Sequence, residues 1–180
     1  MGVQIHGGAG FIEETGAAQH YRDARITPIY EGANGIQALD LVNRKVLGDR
    51  GAAAAELLDE MRAFVYSGHD IGGDGALAEA VGSLQRATDW MVANGMPDAA
   101  AGATPYLELF GIVVGGYLMA RSASIADARL AEDIGEASFY RAKIATAEFY
   151  AGNVLPSAGG LERAATSGAE LLIAMAEDAL

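Results

Sequence analysis

Glu31 stands between a tyrosine and a glycine in the run Ile29-Tyr30-Glu31-Gly32-Ala33-Asn34-Gly35-Ile36-Gln37. A lone carboxylate beside glycine, just ahead of a helical segment, can be held rigidly and aimed, as a general base requires. The same residue type also starts helices, where it complements the positive end of the helix dipole, so the run admits a catalytic and a structural reading. A second grouping, Gln4-Ile5-His6-Gly7-Gly8-Ala9-Gly10-Phe11, places adjacent glycines where backbone N–H groups can approach a phosphate without side-chain obstruction. A glycine-rich turn that ends a helix accounts for it equally well.

Other chemistries are excluded by what surrounds these groups. No Gly-Lys-Ser/Thr follows the glycines, so they form no phosphate loop of that type, and no strand-like segment precedes them as a dinucleotide fingerprint requires. His6-Gly7-Gly8 has the look of an esterase oxyanion turn, but no Gly-x-Ser-x-Gly supplies a nucleophile. His6, His20 and His69 are the only histidines and none is paired at helical ligand spacing, so no metal is expected. The absence of cysteine removes disulfides, thiolate zinc and a cysteine nucleophile together.

The elements that must carry these groups are helical. The chain has 180 residues, 51% apolar and 20% charged, with 4 prolines. Alanine is frequent, and runs of alternating β-branched residues are absent. Ile12 or Glu13 to Ala24 reads as one short helix, broken at Thr27-Pro28 because the residue before proline avoids the α region. Gly32 to Val46 reads as a second, with Ile36, Leu39, Val42 or Asn43, and Val46 inward. Leu47 to Gly51 reads as a helix stop and short connection. Beyond it five stripes recur at three- and four-residue steps. They are Ala54-Leu57-Leu58-Met61-Val65, Leu77-Val81-Leu84-Thr88-Met91, Leu107-Phe110-Val114-Tyr117-Leu118, Tyr140-Ile144-Ala147-Ala151-Val154 and Leu161-Ala165-Gly168-Leu172-Met175. Breakers are expected at Ser67–Gly75, Asn94–Pro97, Ser122–Asp127 and Pro156–Gly160. The expectation is an all-α chain in two parts, residues 1–48 and a helical bundle over 49–180.

Charge and hydropathy narrow the partners. A net charge of −12 without a basic tract is a poor match to a phosphate backbone, so no nucleic acid is expected. The N-terminus lacks the basic-then-apolar pattern of a secretory signal, and a cytoplasmic location is expected. Tyr106–Ala120 is the most apolar window, shorter than the roughly 20 residues of a membrane span. Its Gly111, Gly115 and Gly116 are expected to serve close helix packing rather than a membrane contact.

Taken together, Gln4-x-His6-Gly7-Gly8-x-Gly10-Phe11, Tyr21-Arg22-Asp23-Ala24-Arg25-Ile26, Ile29-Tyr30-Glu31-Gly32 and Ile36-Gln37 occur in order at tight spacing. This pattern resembles the C-terminal end of an acyl-CoA dehydrogenase. It is similar in particular to the branch that carries a further helical extension, as in dehydrogenases of methylthio-propionyl-type thioesters. The specific match covers residues 3–47, and 48–180 is similar to the extension in character alone.

The resemblance implies a fold and a chemistry. Residues 1–48 would be the last helices of the family's C-terminal helical domain. With bound FAD, such enzymes oxidise the Cα–Cβ bond of an acyl-CoA thioester. Glu31, by its place in Tyr-Glu-Gly, would be the base, and its backbone N–H would help hold the thioester oxygen. Tyr30 and Gly32 would shape the substrate wall. Gln4, Gly7 and Gly8 would lie against the FAD of a neighbouring subunit, and Ala33, Asn34 and Gly35 near that of the same subunit. Electrons would pass to an electron-transferring flavoprotein, and a homo-oligomer is implied. Ala33 departs from the threonine common at this position and offers the flavin no hydroxyl. The family's N-terminal, β- and first C-terminal portions would lie outside this sequence, with most of the flavin and CoA surface. On this reading the isolated chain has no turnover, and Ile26, Ile29, Tyr30 and Ile36 face partners. Two other readings fit the stripes: a non-enzymatic oligomerisation or interaction module, and a helical binder of a small molecule or acyl carrier with Trp90 and Tyr106 near its pocket.

Overall fold

The computed structural model describes residues 2–72 and 75–175, and among them every regular element is helical. The chain falls into two compact units, Met1–Gln37 and Ala38–Leu180.

The first unit is built from short pieces. Helices α1 (Gly2–Ile5) and α2 (Gly8–Phe11) pack on each other and on α3 (Ala17–Ile26). Gly10 is buried at this junction, because a Cβ there would run into the Val3 carbonyl oxygen and come within 2.9 Å of His6 Cβ. The helix expected from Ile12 or Glu13 to Ala24 is instead split. Glu13–Thr15 form one 3-10 turn, Gly16 takes φ 75°, and α3 starts only at Ala17. A left-handed residue ends the helical phase, and glycine adopts it without a steric cost. The unit buries little; Ala18 is its one buried large-core contributor beside Gly10 among the described residues.

Helix α4 (Asn34–Asp40) carries the chain across the unit boundary and leads into a π-helical turn, Leu41–Val46. The expected Gly32–Val46 helix therefore starts later and changes its winding. Ile36 and Leu39, expected inward, are exposed, while Ala38, Val42 and Val46 are buried. Residues four apart lie on one side of a helix, which aligns those three. Asp49 then ends this segment and caps α5 (Ala52–Phe64), its carboxylate accepting from the N–H groups of Gly51, Ala52 and Ala53 at 2.9–3.1 Å.

The second unit is the bundle. After α5 come α6 (Ala76–Asn94), the short α7 (Asp98–Ala101), α8 (Ala103–Ala131), α9 (Ala137–Asn153) and α10 (Ala158–Ala165), followed by a last turn, α11 (Glu170–Ile173). α8 packs against α6, α9 and α10. The second stripe is inward throughout: Leu77, Val81, Leu84, Thr88 and Met91 are all buried. The third is displaced, since Tyr106, Leu109, Val113 and Tyr117 form the buried face of α8 and Leu118 is exposed. In the fifth, Leu172 and Met175 are exposed because α10 stops at Ala165.

The break expected at Ser122–Asp127 is absent: α8 runs through it to 29 residues. That segment holds neither glycine nor proline, and Ser122 Oγ turns its hydrogen bond back to the Leu118 carbonyl at 2.8 Å. By length and composition α8 is thus apolar enough to cross a bilayer, with 33% of its most apolar window buried. The glycines explain its packing. A Cβ at Gly116 would come within 2.7 Å of Leu155 Cδ2, and one at Gly115 would press on the Tyr150 hydroxyl, so α9 and the turn after it lie directly on the α8 backbone. Gly111 has no such neighbour.

Candidate functional site

Glu31 follows α3 on a tight turn. Ile29 and Tyr30 donate backbone N–H groups to the Ile26 carbonyl at 3.0 and 3.1 Å, which carries the helix one step further before the chain reverses. Glu31 itself adopts φ 57°, a left-handed conformation that costs a residue with a Cβ about 1–2 kcal/mol. Gly32 follows at φ 110°, where a Cβ would also come within 2.9 Å of Ile36 Cγ2. Glycine is therefore required at 32 twice over. Asn34 N–H returns to the Pro28 carbonyl at 3.2 Å and closes the loop.

The Glu31 side chain is exposed. No acceptor within the described residues takes the backbone N–H of Glu31 or Gly32. The turn consequently presents a carboxylate and two free amide donors side by side. Tyr30 and Ile29 are exposed beside it, as are Ile26 and Ile36.

Gln37 is the residue whose role sequence reasoning missed. Its side-chain amide Nε2 donates to the carbonyls of Thr27 at 2.9 Å, Tyr30 at 3.0 Å and Gly32 at 2.9 Å. Its place at the end of the Tyr-Glu-Gly run was visible, but three acceptors converging on one amide arise from the loop's path, which residue types alone do not prescribe.

The residues for which the resemblance implied flavin contact are also exposed: Gln4, Gly7 and Gly8 on one segment, Ala33, Asn34 and Gly35 on another. Gly7 needs its φ of 58°. Gly8 and Gly35 have neither a positive φ nor any atom within 4 Å of the place a Cβ would take, so nothing inside the chain demands glycine there. Their bare backbones are open to a group from outside. No hydrogen bond joins the Gln4–Gly8 segment to the Glu31 turn among the described residues.

In the bundle, Tyr106 is wholly buried with its hydroxyl bonded to Thr88, so it lines no opening. A groove of about 750 Å³ does lie between α6, α9 and α10, faced by small residues such as Ala80, Gly152 and Gly159 together with Glu79 and Arg163.

Two family models match the chain. Residues 2–47 match the acyl-CoA dehydrogenase C-terminal domain, and residues 51–176 match the family described as acetyl-CoA dehydrogenase C-terminal like. The chain is 48% identical over 164 residues to 3-methylmercaptopropionyl-CoA dehydrogenase of Ruegeria pomeroyi, which covers 86% of this chain and 28% of that protein. It is 33% identical over 174 residues to a broad-specificity linear acyl-CoA dehydrogenase of Mycobacterium tuberculosis, with the same coverage of 86% and 28%. A butyryl-CoA dehydrogenase of Syntrophomonas wolfei is 33% identical over 188 residues, covering 98% of the chain and 30% of the relative. The chain thus spans under a third of the length of these relatives.

Proposed function

The chain belongs to the acyl-CoA dehydrogenase family, matching its C-terminal portion, and from that premise we propose that Glu31 is the base in oxidation of the Cα–Cβ bond of an acyl-CoA thioester. The observation that carries this reading is the Glu31 turn, with its exposed carboxylate beside two uncommitted N–H groups, inside the matched residues 2–47. An α-proton of a thioester is weakly acidic. Its removal needs a placed base and hydrogen-bond donors on the carbonyl oxygen where charge gathers. Glu31 takes the proton on its carboxylate, and its own N–H donates to that oxygen. Tyr30 and Gly32 wall the reacting carbons.

Homologues in this family are FAD-dependent oxidoreductases, and the open backbones at Gly8 and Gly35 fit contact with such a group. When bound, FAD supplies the acceptor for the hydride that leaves Cβ. Gln4, Gly7 and Gly8 would contact the FAD of a neighbouring subunit, and Ala33, Asn34 and Gly35 that of their own, in a homo-oligomer. Residues 1–48 act as the end of the dehydrogenase domain and 49–180 as its helical extension. An electron-transferring flavoprotein takes the electrons, in the cytoplasm. By itself the chain turns over no acyl-CoA, because most of the flavin and CoA surface belongs to the remaining length of the enzyme. The test joins this chain to the N-terminal portion of the Ruegeria pomeroyi relative and compares acyl-CoA oxidation with and without Glu31→Gln. Loss of a general base lowers turnover by about 10²–10⁴-fold.

A further inference from the structure

A glutamate at φ 57° does not hold that conformation by its own preference, and what holds it here is visible. The two carbonyls that flank Glu31, those of Tyr30 and Gly32, both accept from Gln37 Nε2, at 3.0 and 2.9 Å. A third, from Thr27, accepts at 2.9 Å. Three carbonyl oxygens around one group leave only one sensible amide orientation, with the NH₂ inward, its two protons shared among three acceptors. The Tyr30 carbonyl lies in the same planar trans peptide as the Glu31 N–H and points the opposite way. Tying that oxygen to Gln37 therefore turns the Glu31 N–H away from Gln37. The Gly32 carbonyl fixes the next anchor, so the Glu31–Gly32 peptide is held at both ends. Gln37 is set in turn by its own N–H to the Ala33 carbonyl at 3.1 Å.

We propose that Gln37 is the positioning residue of the Glu31 turn, aiming both the carboxylate and the adjacent N–H through the carbonyls on either side. This rests on the reading of Glu31 as the base. Gln37 touches no reacting atom, and its effect falls on the placement of Glu31.

Two measurements test it. In the labelled full chain, the nuclear Overhauser effect between the Glu31 amide proton and its own Hα is strong at positive φ. Gln37→Met keeps the length of the side chain and removes the donors, and it weakens that signal to the ordinary level. Gln37→Lys restores donors without an acceptor and restores the signal. In the enzyme joined to the Ruegeria pomeroyi N-terminal portion, Gln37→Met lowers kcat about 10²-fold, the effect of an ångström-scale misplacement. It leaves KM nearly unchanged, and Gln37→Lys recovers most of kcat. An unaltered Glu31 signal in Gln37→Met, or a loss confined to KM, overturns the proposal. Near-normal turnover of Glu31→Gln overturns the assignment of the base instead, and the Overhauser signal still decides whether Gln37 holds the turn.

Discussion

Tyr106 donates its phenolic proton to the hydroxyl of Thr88 across 2.8 Å in the middle of the bundle. The direction follows from bookkeeping: Thr88 has one proton, and it goes to the Leu84 carbonyl at 2.8 Å. The two halves of the pair are therefore unequal. Thr88→Val strands a buried phenol and costs about 1–3 kcal/mol, whereas Tyr106→Phe leaves Thr88 bonded to Leu84 and costs about 1 kcal/mol from the lost bond. Urea unfolding of both variants checks the order. A larger loss in Tyr106→Phe contradicts it.

The same burial makes the bundle sensitive to alkali. Desolvation pushes the Tyr106 phenol from 10.0 up to about 12. A raised pKa contributes stability that is whole below the unfolded value and is lost as pH rises from about 10 through about 12. Two units correspond to roughly 3 kcal/mol. Wild type should lose more stability than Tyr106→Phe over that window. Parallel curves would show that Tyr106 does not ionise in this way.

On the acid side the relevant pair joins α6 to α10. Arg86 Nε and Nη2 donate to the two oxygens of Glu162, both at 2.7 Å, and this bond from Arg86 holds the Glu162 carboxyl below its usual range. A depressed pKa contributes stability that is present above the unfolded carboxylate value and lost as pH falls through the folded one. Arg86 is largely exposed, so Glu162→Gln should cost at most about 1 kcal/mol near neutral pH. It should also flatten the acid limb of the stability curve. An unchanged limb places acid sensitivity elsewhere.

The first unit leaves large apolar side chains uncovered, Phe11 at 83% and Ile5 at 80%, together with Ile26, Ile29 and Ile36. Large apolar side chains exposed in this number in so small a unit seek a cover. The chain alone should self-associate in sedimentation, and Phe11→Ser with Ile29→Ser should shift it toward monomer. A wild-type monomer over a dilution series would contradict the view that this surface meets partners.

Much of this was legible beforehand for physical reasons. Leu77, Val81, Leu84, Thr88 and Met91 announce their burial because α6 is regularly wound and packed on one side. Val42 and Val46 are inward as expected, but Ile36 and Leu39 misled because the buried line continues back from them through Ala38, four residues before Val42, and Ile36 and Leu39 stand off it. Ser122–Asp127 misled because serine and aspartate can sit in a helix interior when a side chain bonds back to the preceding turn. At the candidate site, Glu31 stood out by its neighbours, Tyr30 and Gly32. Its left-handed φ and the three bonds of Gln37 depend on how the loop closes, which no spacing encodes.

The central claim is that the Glu31 carboxylate removes the substrate's α-proton. Its direct measure is exchange of that proton with deuterated water, followed on an acyl-CoA bound to the enzyme assembled from this chain and the Ruegeria pomeroyi N-terminal portion. The account predicts exchange in the parent and a loss of about 10²–10⁴-fold in Glu31→Gln, with acyl-CoA still bound. Exchange at the parent rate in Glu31→Gln would contradict it and place the base on another residue.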